Sequence, residues 1–365
     1  MKRYLITVIA IIVTIVTMAE NSKVWIYSHS GNHLSIDMAD FDSLSFIEPS
    51  HLDISPVEKI ISKDGSRFTL EITANKTWTA SSNDPAVILG TTQGTGDATI
   101  TCTALPNAEE DQYTATITVK FDDGTQKQSE VTVLGRSTDF VTDICGNTYT
   151  TVTIGTQVWM TQNMRCNKYD TQSEKAGSTI STLDKSTIGV VYTPYYTNAS
   201  NKSNWLSEEY AKNLSDVQIS RLGFLYNWAA AVGVNDGKKH TTEFSGNRQG
   251  ICPNGWHIPT EDETFRLAIT IGGSGKAGKK LASKSGWYND SYGTDDYGFS
   301  ALPAGLSNVS TVYNIGSFAN FWTATLNKDN AEGASWFGIY YLSTHLSDTY
   351  DFNKYMGCSV RCLKN

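Results

Sequence analysis

With 365 residues the chain is long enough for two or three domains. Hydrophobic residues at 39%, including 11% aromatic, supply packed cores and exclude a disordered chain. Lysines and arginines number 29 against 37 acids, a net charge of −8, with no cationic run beyond the first three residues, which excludes a phosphate-neutralising nucleic-acid binder.

Met1-Lys2-Arg3 is followed by an apolar stretch from Tyr4 to Met18, then small Ala19 and polar Glu20-Asn21-Ser22. This three-part pattern predicts a secretory signal peptide over 1–19. The stretch falls short of the roughly 20 apolar residues that a spanning helix needs. No later run is longer, so the expected product is secreted, periplasmic or held at the cell surface, with no integral membrane span after cleavage. No cysteine stands near the cut to accept a lipid. The six cysteines (Cys102, Cys145, Cys166, Cys252, Cys358 and Cys362) make disulfides plausible in an oxidising compartment, and spacing alone leaves the pairings open.

Residues 20–48 contain two strand-like runs, Val24 to Tyr27 and Ser43 to Phe46, around a turn at Ser30-Gly31-Asn32. The stretch Ile36 to Phe46 resembles an N-terminal segment of exported proteins from Bacteroides-like bacteria. Residues 50–136 alternate apolar and polar at period two through Phe68-x-Leu70-x-Ile72, Ala98-x-Ile100, Ala115-x-Ile117-x-Val119 and Val131-x-Val133. Turn residues separate these runs, so an antiparallel β-sandwich is predicted. Leu52-x-Ile54-Ser55-Pro56, Ala74 to Ser81, Gly94-x-Gly96-x-Ala98-Thr99-Ile100 and Tyr113 to Val119 resemble the immunoglobulin-like BACON domain. That resemblance implies a carbohydrate-associated module or a spacer, and we read it as a spacer with Trp78 in its core.

Residues 138–365 hold seven of the nine tryptophans. Three groups of motifs run through them. The first spans Asp143 to Arg165, with Val158-Trp159-Met160-x-x-Asn163-Met164-Arg165 at its end. The second is Gly223-x-Leu225-Tyr226-Asn227-Trp228 and Cys252-Pro253-Asn254-Gly255-Trp256-His257-Ile258-Pro259-Thr260. The third is Phe299-x-Ala301-Leu302-Pro303-Ala304-Gly305, Phe321-Trp322-Thr323-Ala324-Thr325 and Ser359-Val360-Arg361-Cys362. Together they resemble the Fibrobacter succinogenes major paralogous domain. The Gly255 to Glu263 stretch with its closing Val360-Arg361-Cys362 is similar to the C-type-lectin-like fold, in its formylglycine-generating-enzyme branch. The fold class expected is therefore mostly β, an immunoglobulin-like sandwich followed by an α+β, C-type-lectin-like domain.

Such folds join their first and last strands, and the resemblance implies a Cys252–Cys362 bridge, with Cys145–Cys166 second and Cys102 and Cys358 left over. Thr260 and Glu263 predict a capping box at a helix start, with Phe265, Leu267 and Ala268 as apolar contacts. The resemblance to the oxidase branch raises a copper-dependent thiol oxidase using Cys358 and Cys362, with Arg361 as the electropositive neighbour. We rank this below a binding role. His257, between Trp256 and Ile258, reads as a satisfied core histidine.

Gly273-Ser274-Gly275-Lys276-Ala277-Gly278 fits G-x-G-x-x-G, but no hydroxyl follows Lys279 and no βαβ unit surrounds it, so a glycine-rich loop leaving a helix is expected. The stretch after it is richer in chemistry. Trp287, Tyr288, Tyr292 and Tyr297 stand beside Asn289, Asp290, Asp295 and Asp296. Aromatic faces next to amides and acids suit sugar stacking and hydroxyl recognition. Asp290, Asp295 and Asp296 offer oxygen ligands for calcium, and the binding role calls for no other cofactor. Candidate ligand-binding residues are thus Trp287, Tyr288, Asn289, Asp290, Tyr292, Asp295 and Asp296. No catalytic residue is assigned. The expected function is an exported, non-catalytic binding protein whose partner is a glycan or a cell-surface protein. The alternative is an adhesin-like structural protein without a small ligand.

Overall fold

The computed structural model describes residues 12–16, 23–27, 33–37, 50–136, 138–173, 191–192, 214–234, 240–288, 292–307 and 312–365. An antiparallel three-stranded sheet opens the chain: β1 (Ile12–Val16), β2 (Lys23–Tyr27) and β3 (His33–Asp37), in that order. Part of the segment expected to be a signal peptide thus forms a strand, Ile12 opposite Tyr27. Its Ile, Val and Thr are β-branched, and such residues suit strands. The second partner of β2 is β3, Tyr27 opposite His33. It is not Ser43 to Phe46, which lies outside the described residues. His33-Leu34-Ser35-Ile36-Asp37 itself alternates polar and apolar, the period of a strand.

The sandwich follows. Its strands are β4 (Leu52–Ser55), β5 (Glu58–Ile61), β6 (Ser66–Ala74), β7 (Thr77–Ser82), β8 (Val87–Leu89), β9 (Gln93–Thr95), β10 (Ala98–Ala104), β11 (Tyr113–Phe121) and β12 (Gln126–Val133). They form a four-stranded sheet, β4-β6-β10-β8, and a five-stranded sheet, β5-β12-β11-β7-β9. The period-two apolar positions point inward, with Leu70, Ile72, Ile100, Ile117, Val119 and Val131 buried in one cluster. Trp78 is in that core, its indole donating to the Gly96 carbonyl at 2.9 Å. Gly94 is required opposite it in β9, because a Cβ there would collide with the Trp78 ring.

The C-terminal region mixes short strands and helices. Chain order is β13 (Phe140–Thr142), β14 (Thr148–Ile154), β15 (Gln157–Met160), β16 (Val191–Tyr192), α1 (Asp216–Arg221), β17 (Leu225–Tyr226), α2 (Trp228–Val232), β18 (Trp256–His257), α3 (Glu261–Thr270), α4 (Ser274–Leu281), β19 (Leu306–Ser307), β20 (Val312–Tyr313), β21 (Phe318–Leu326), β22 (Gly333–Tyr340), β23 (Leu346–Asn353) and β24 (Leu363–Lys364). The first and last strands meet as expected: β24 lies between β15 and β18 in the sheet β13-β14-β15-β24-β18, with Trp159 opposite Leu363. Cys252–Cys362 and Cys145–Cys166 are both bonded, while Cys102 and Cys358 are free and buried. Among the described residues no helix is long and apolar enough to cross a membrane.

The antiparallel sheet β21-β22-β23 is the centre of this region. Alternate residues serve two cores. Trp322, Ala324, Leu326 and Ala334 face one, together with Trp228, Trp256 and Val360. Ala319, Phe321, Phe337 and Ile339 face the other, with Trp159, Leu267, Leu281 and Trp287. Helix α3 starts at the predicted capping box: Glu263 accepts from the Thr260 amide at 2.8 Å, and Thr260 Oγ1 accepts from the Glu263 amide. Leu267 and Ala268 pack inward as expected, but Phe265 is 55% exposed. The buried positions 264, 267, 268 and 271 occupy one face at the 3.6-residue period, which turns 265 outward. The glycine-rich motif is likewise not a loop: Ser274–Leu281 is α4, and Gly278 lets its backbone pass against His345, whose carbonyl a Cβ would strike.

Candidate functional site

In the β21-β22 ladder, Phe318 is opposite Tyr340, Asn320 opposite Gly338, and Trp322 opposite Trp336. Directly opposed residues of an antiparallel pair project to the same side, and every second residue along a strand does so too. These three rungs therefore make one continuous face. At its outer end the Phe318 and Tyr340 rings stack at 4.5 Å, and both are half-buried. Tyr340 meets Tyr341 edge-on at 5.1 Å, and Tyr341 meets Tyr288 edge-on at 5.7 Å. Leu342, next in the chain, is 69% exposed. Four aromatic rings from three distant stretches of sequence thus form a connected, partly exposed surface.

Behind the outer rung the face changes character. Gly338 carries no side chain, and a Cβ there would run into the Trp336 ring and lie 2.7 Å from Asn320 Oδ1. Both side chains therefore occupy the space the glycine leaves. Asn320 is 1% exposed, yet its Nδ2 has no hydrogen-bond partner; the Nε1 of half-buried Trp336 has none either. Trp322, by contrast, donates its indole proton to the Tyr226 carbonyl at 2.7 Å.

The structure separates the residues singled out from the sequence. Trp287 is fully buried, its Nε1 donating to Ser283 Oγ at 3.1 Å, and offers no face to a ligand. Leu281, Phe299 and Ala301, on either side of the polar stretch in the chain, share its core. Tyr292 packs on Trp287 at 5.0 Å and donates its hydroxyl to the Ser343 carbonyl; burial pushes its pKa up to about 12. Asp295 does not reach outward for an ion, since Ser300 donates its amide to one carboxylate oxygen at 2.7 Å and its hydroxyl to the other at 2.5 Å. Asp296 is exposed. Asn289 and Asp290 lie outside the described residues. Of the named aromatics, Tyr288 alone joins the strip. Phe318, Tyr340, Tyr341 and Trp336 were missed, because only the strand register brings them together.

Other chemistry-bearing groups are accounted for structurally. His257 is 1% exposed, with Nδ1 at 2.7 Å from Asn365 Oδ1 and Nε2 at 3.1 Å from the Glu263 carboxylate. Burial holds the Cys358 thiol well above its usual range, and Cys362 is bridged to Cys252, so the two sulfurs do not form a thiolate couple. Asp143, Cys145 and Cys166 place ligand atoms within 4.8 Å of one another, but both sulfurs belong to the disulfide and the carboxylate accepts from Tyr149 and Asn147. A separate cleft of about 890 Å³ lies between the start of α3 and the loop after β21, lined by Glu243, Glu261, Asp262, Thr325, Asn327 and Asp329 among others. It has no aromatic wall.

A family model, the Fibrobacter succinogenes major domain, matches residues 152–364. The chain belongs to that family. The match takes in β15, the sheet β21-β22-β23, both strands that close on β24, and the whole aromatic face. No curated protein matches the chain. Among solved structures it is similar to a Bacteroides ovatus GH5 xyloglucanase in complex with a XXXG heptasaccharide, at 20% identity and TM-score 0.23, over 26% of this chain and 21% of that one. It is also similar to the sialic acid binding region of a Streptococcus sanguinis SK1 adhesin bound to 3'sLn, at 10% identity and TM-score 0.18, over 48% of this chain and 56% of that one. The surface layer protein SbsC, domains 4–9, matches at 11% identity and TM-score 0.21, over 50% and 28%. At scores this low none of the three bears on what the Fibrobacter succinogenes major domain of this chain binds.

Within the Fibrobacter succinogenes major domain, Arg361 of the Ser359-Val360-Arg361-Cys362 motif is wholly buried. It donates to Asn163 Oδ1 at 2.8 Å and to the carbonyls of Met160 and Phe299 at 3.1 and 2.5 Å, between the Phe299 and Phe321 rings. Desolvation lowers its pKa to about 9, opposed by the Asp295 charge. It is a tie between the closing segment and the Phe299 loop, and its hydrogen bonds go to Asn163, Met160, Phe299 and Ser300 rather than to Cys358.

Proposed function

We propose that this chain is an exported, non-catalytic binding protein that holds a glycan on the aromatic strip Phe318-Tyr340-Tyr341-Tyr288. The observation that carries the reading is the strip itself: the stacked Phe318-Tyr340 pair with Tyr341 and Tyr288 joined to it edge-on, all four rings half-buried, on a sheet packed on both faces. Sugars present apolar C–H faces that stack on such rings, and a pre-formed platform binds without an ordering cost. Two disulfides favour an oxidising compartment, in keeping with export. The sandwich serves as a spacer beneath the binding domain. Calcium is not needed in this reading, because Asp295 is committed to Ser300.

The test is affinity electrophoresis or calorimetry of the full chain against a broad polysaccharide panel, with and without chelator. We expect saturable binding to at least one polysaccharide, unchanged by chelator. Tyr340→Ala should weaken it about tenfold, the value of one well-stacked ring. Silence across the panel overturns glycan binding and leaves a protein partner as the ligand to seek.

A further inference from the structure

We propose that residues 240–246 form a strap that lies over Trp228 while His240 is neutral and lifts from it when the imidazole takes up a proton. The segment has no helix or strand of its own. It reaches the domain through its rings. His240 and Phe244 stack at 5.0 Å, and both lie against Trp228, at 5.8 and 5.9 Å. Trp228 is wholly buried, and Phe244 packs on the core that contains it. At the start of the strap, Lys354 donates to the His240 carbonyl at 2.8 Å and to the Ala331 carbonyl at 2.7 Å.

This arrangement suits an imidazole and not an imidazolium. Aromatic faces attract cations, but the two rings that His240 touches already hold one each. Lys354 Nζ lies 4.9 Å over Trp228, and the Arg248 guanidinium lies 4.4 Å over Phe244, anchored on the Val232 and Gly233 carbonyls. Protonation sets a third positive charge between them. Among the described residues no carboxylate acts on the ring to balance it. Glu243 is exposed and lines the cleft at the start of α3, and Glu332, next to Ala331, is exposed too. A second cost concerns a hydrogen. The imidazolium carries one on each nitrogen, yet His240 Nε2 is buried with no hydrogen-bond partner, so that hydrogen is left unpaired. Burial lowers the His240 pKa below the ordinary 6.5, and Lys354 and Arg248 push it the same way, against a hydrogen bond with the Thr242 backbone. A lifted strap puts the ring in water, away from both cations, so the closed form binds the proton less readily than the lifted one. Closure is therefore fully favoured above pH 6.5 and weakens as pH falls from there through the lowered value.

Hydrogen exchange of the full chain, read by mass spectrometry between about pH 7.5 and pH 5 and corrected for the intrinsic rate, tests this. Peptides covering 240–248 should exchange severalfold faster at the acid end, while β6 and β11 of the sandwich keep their protection. His240→Phe keeps a ring against Trp228 and Phe244 but cannot take up a proton, so its strap should exchange at one corrected rate across the range. His240→Gln serves in its place if that variant fails to fold by circular dichroism. A second readout is the His240 Cε1–H resonance, assigned by its loss in the variant. Its titration midpoint should lie below 6.5, and Lys354→Met, which removes one of the facing cations, should move it upward. If Lys354→Met does not fold, the exchange rates and the parent midpoint decide. Exchange that does not rise toward pH 5, a rise that persists without His240, or a midpoint at or above 6.5 overturns the proposal.

Discussion

At the scale of single residues, Glu263 shows how one side chain serves two purposes. It closes the capping box of α3 and supports buried His257. Burial acts to raise its pKa, but hydrogen bonds from His257 and Thr260 outweigh that and hold the carboxyl below the ordinary 4.5. The native state therefore binds protons less readily than the unfolded chain, so this stabilisation is full above about pH 4.5 and fades as pH falls through the lowered value. Glu263→Gln should cost about 1–2 kcal/mol at pH 7 in urea unfolding, and the difference from the parent should shrink toward pH 3. The Thr260-Glu263 spacing made this cap legible in the sequence. The burial of Trp287 was not, because its polar neighbours imply a surface loop while the residues that enclose it lie up to 14 positions away or in other strands.

At the scale of elements, the β-sandwich was readable because its inward residues alternate at period two and need no partner to be recognised. The helix α4 was not, because a glycine-rich stretch signals a loop when its neighbours are unknown. The reason for one of the glycines is tertiary: Gly278 lets α4 lie against the Thr344-His345 backbone, its amide donating to the Thr344 carbonyl at 3.0 Å. Gly278→Ala has a good helix former at a helical position, yet it should destabilise by about 1–3 kcal/mol by forcing α4 off β23. Thermal or urea unfolding checks it; a stabilised variant would show that the close approach is not what keeps glycine there. The aromatic strip belongs to the same class of hidden feature. Phe318 and Tyr340 are unremarkable in sequence, and only the ladder register makes them a stacked pair.

At the scale of the whole molecule, sandwich and C-terminal domain are clamped together by charge. Glu58 of β5, with a side chain only 6% exposed, accepts from Arg165 at 2.8 Å and from Arg221 at the end of α1, also at 2.8 Å. Arg221 extends the network to Glu130, and Lys59 donates to the Gly146 carbonyl at 2.6 Å. Removing one partner of a buried ion pair strands the other, at a cost of about 3–5 kcal/mol. Glu58→Ala should therefore split a single calorimetric unfolding transition into two, one for each domain; an unsplit transition would mean that the domains are coupled by other contacts. Nothing in the local sequence marks Glu58, since its partners are more than 100 residues away. The closure of the C-terminal sheet has a consequence in time. Trp159 is made early and Leu363 some 200 residues later, yet the two are neighbours in one sheet, sealed beside them by Cys252–Cys362. During synthesis the domain has no finished core until residues 358–364 emerge, so the nascent chain stays slack until its last strand is made, which is the state that the export proposed above would require.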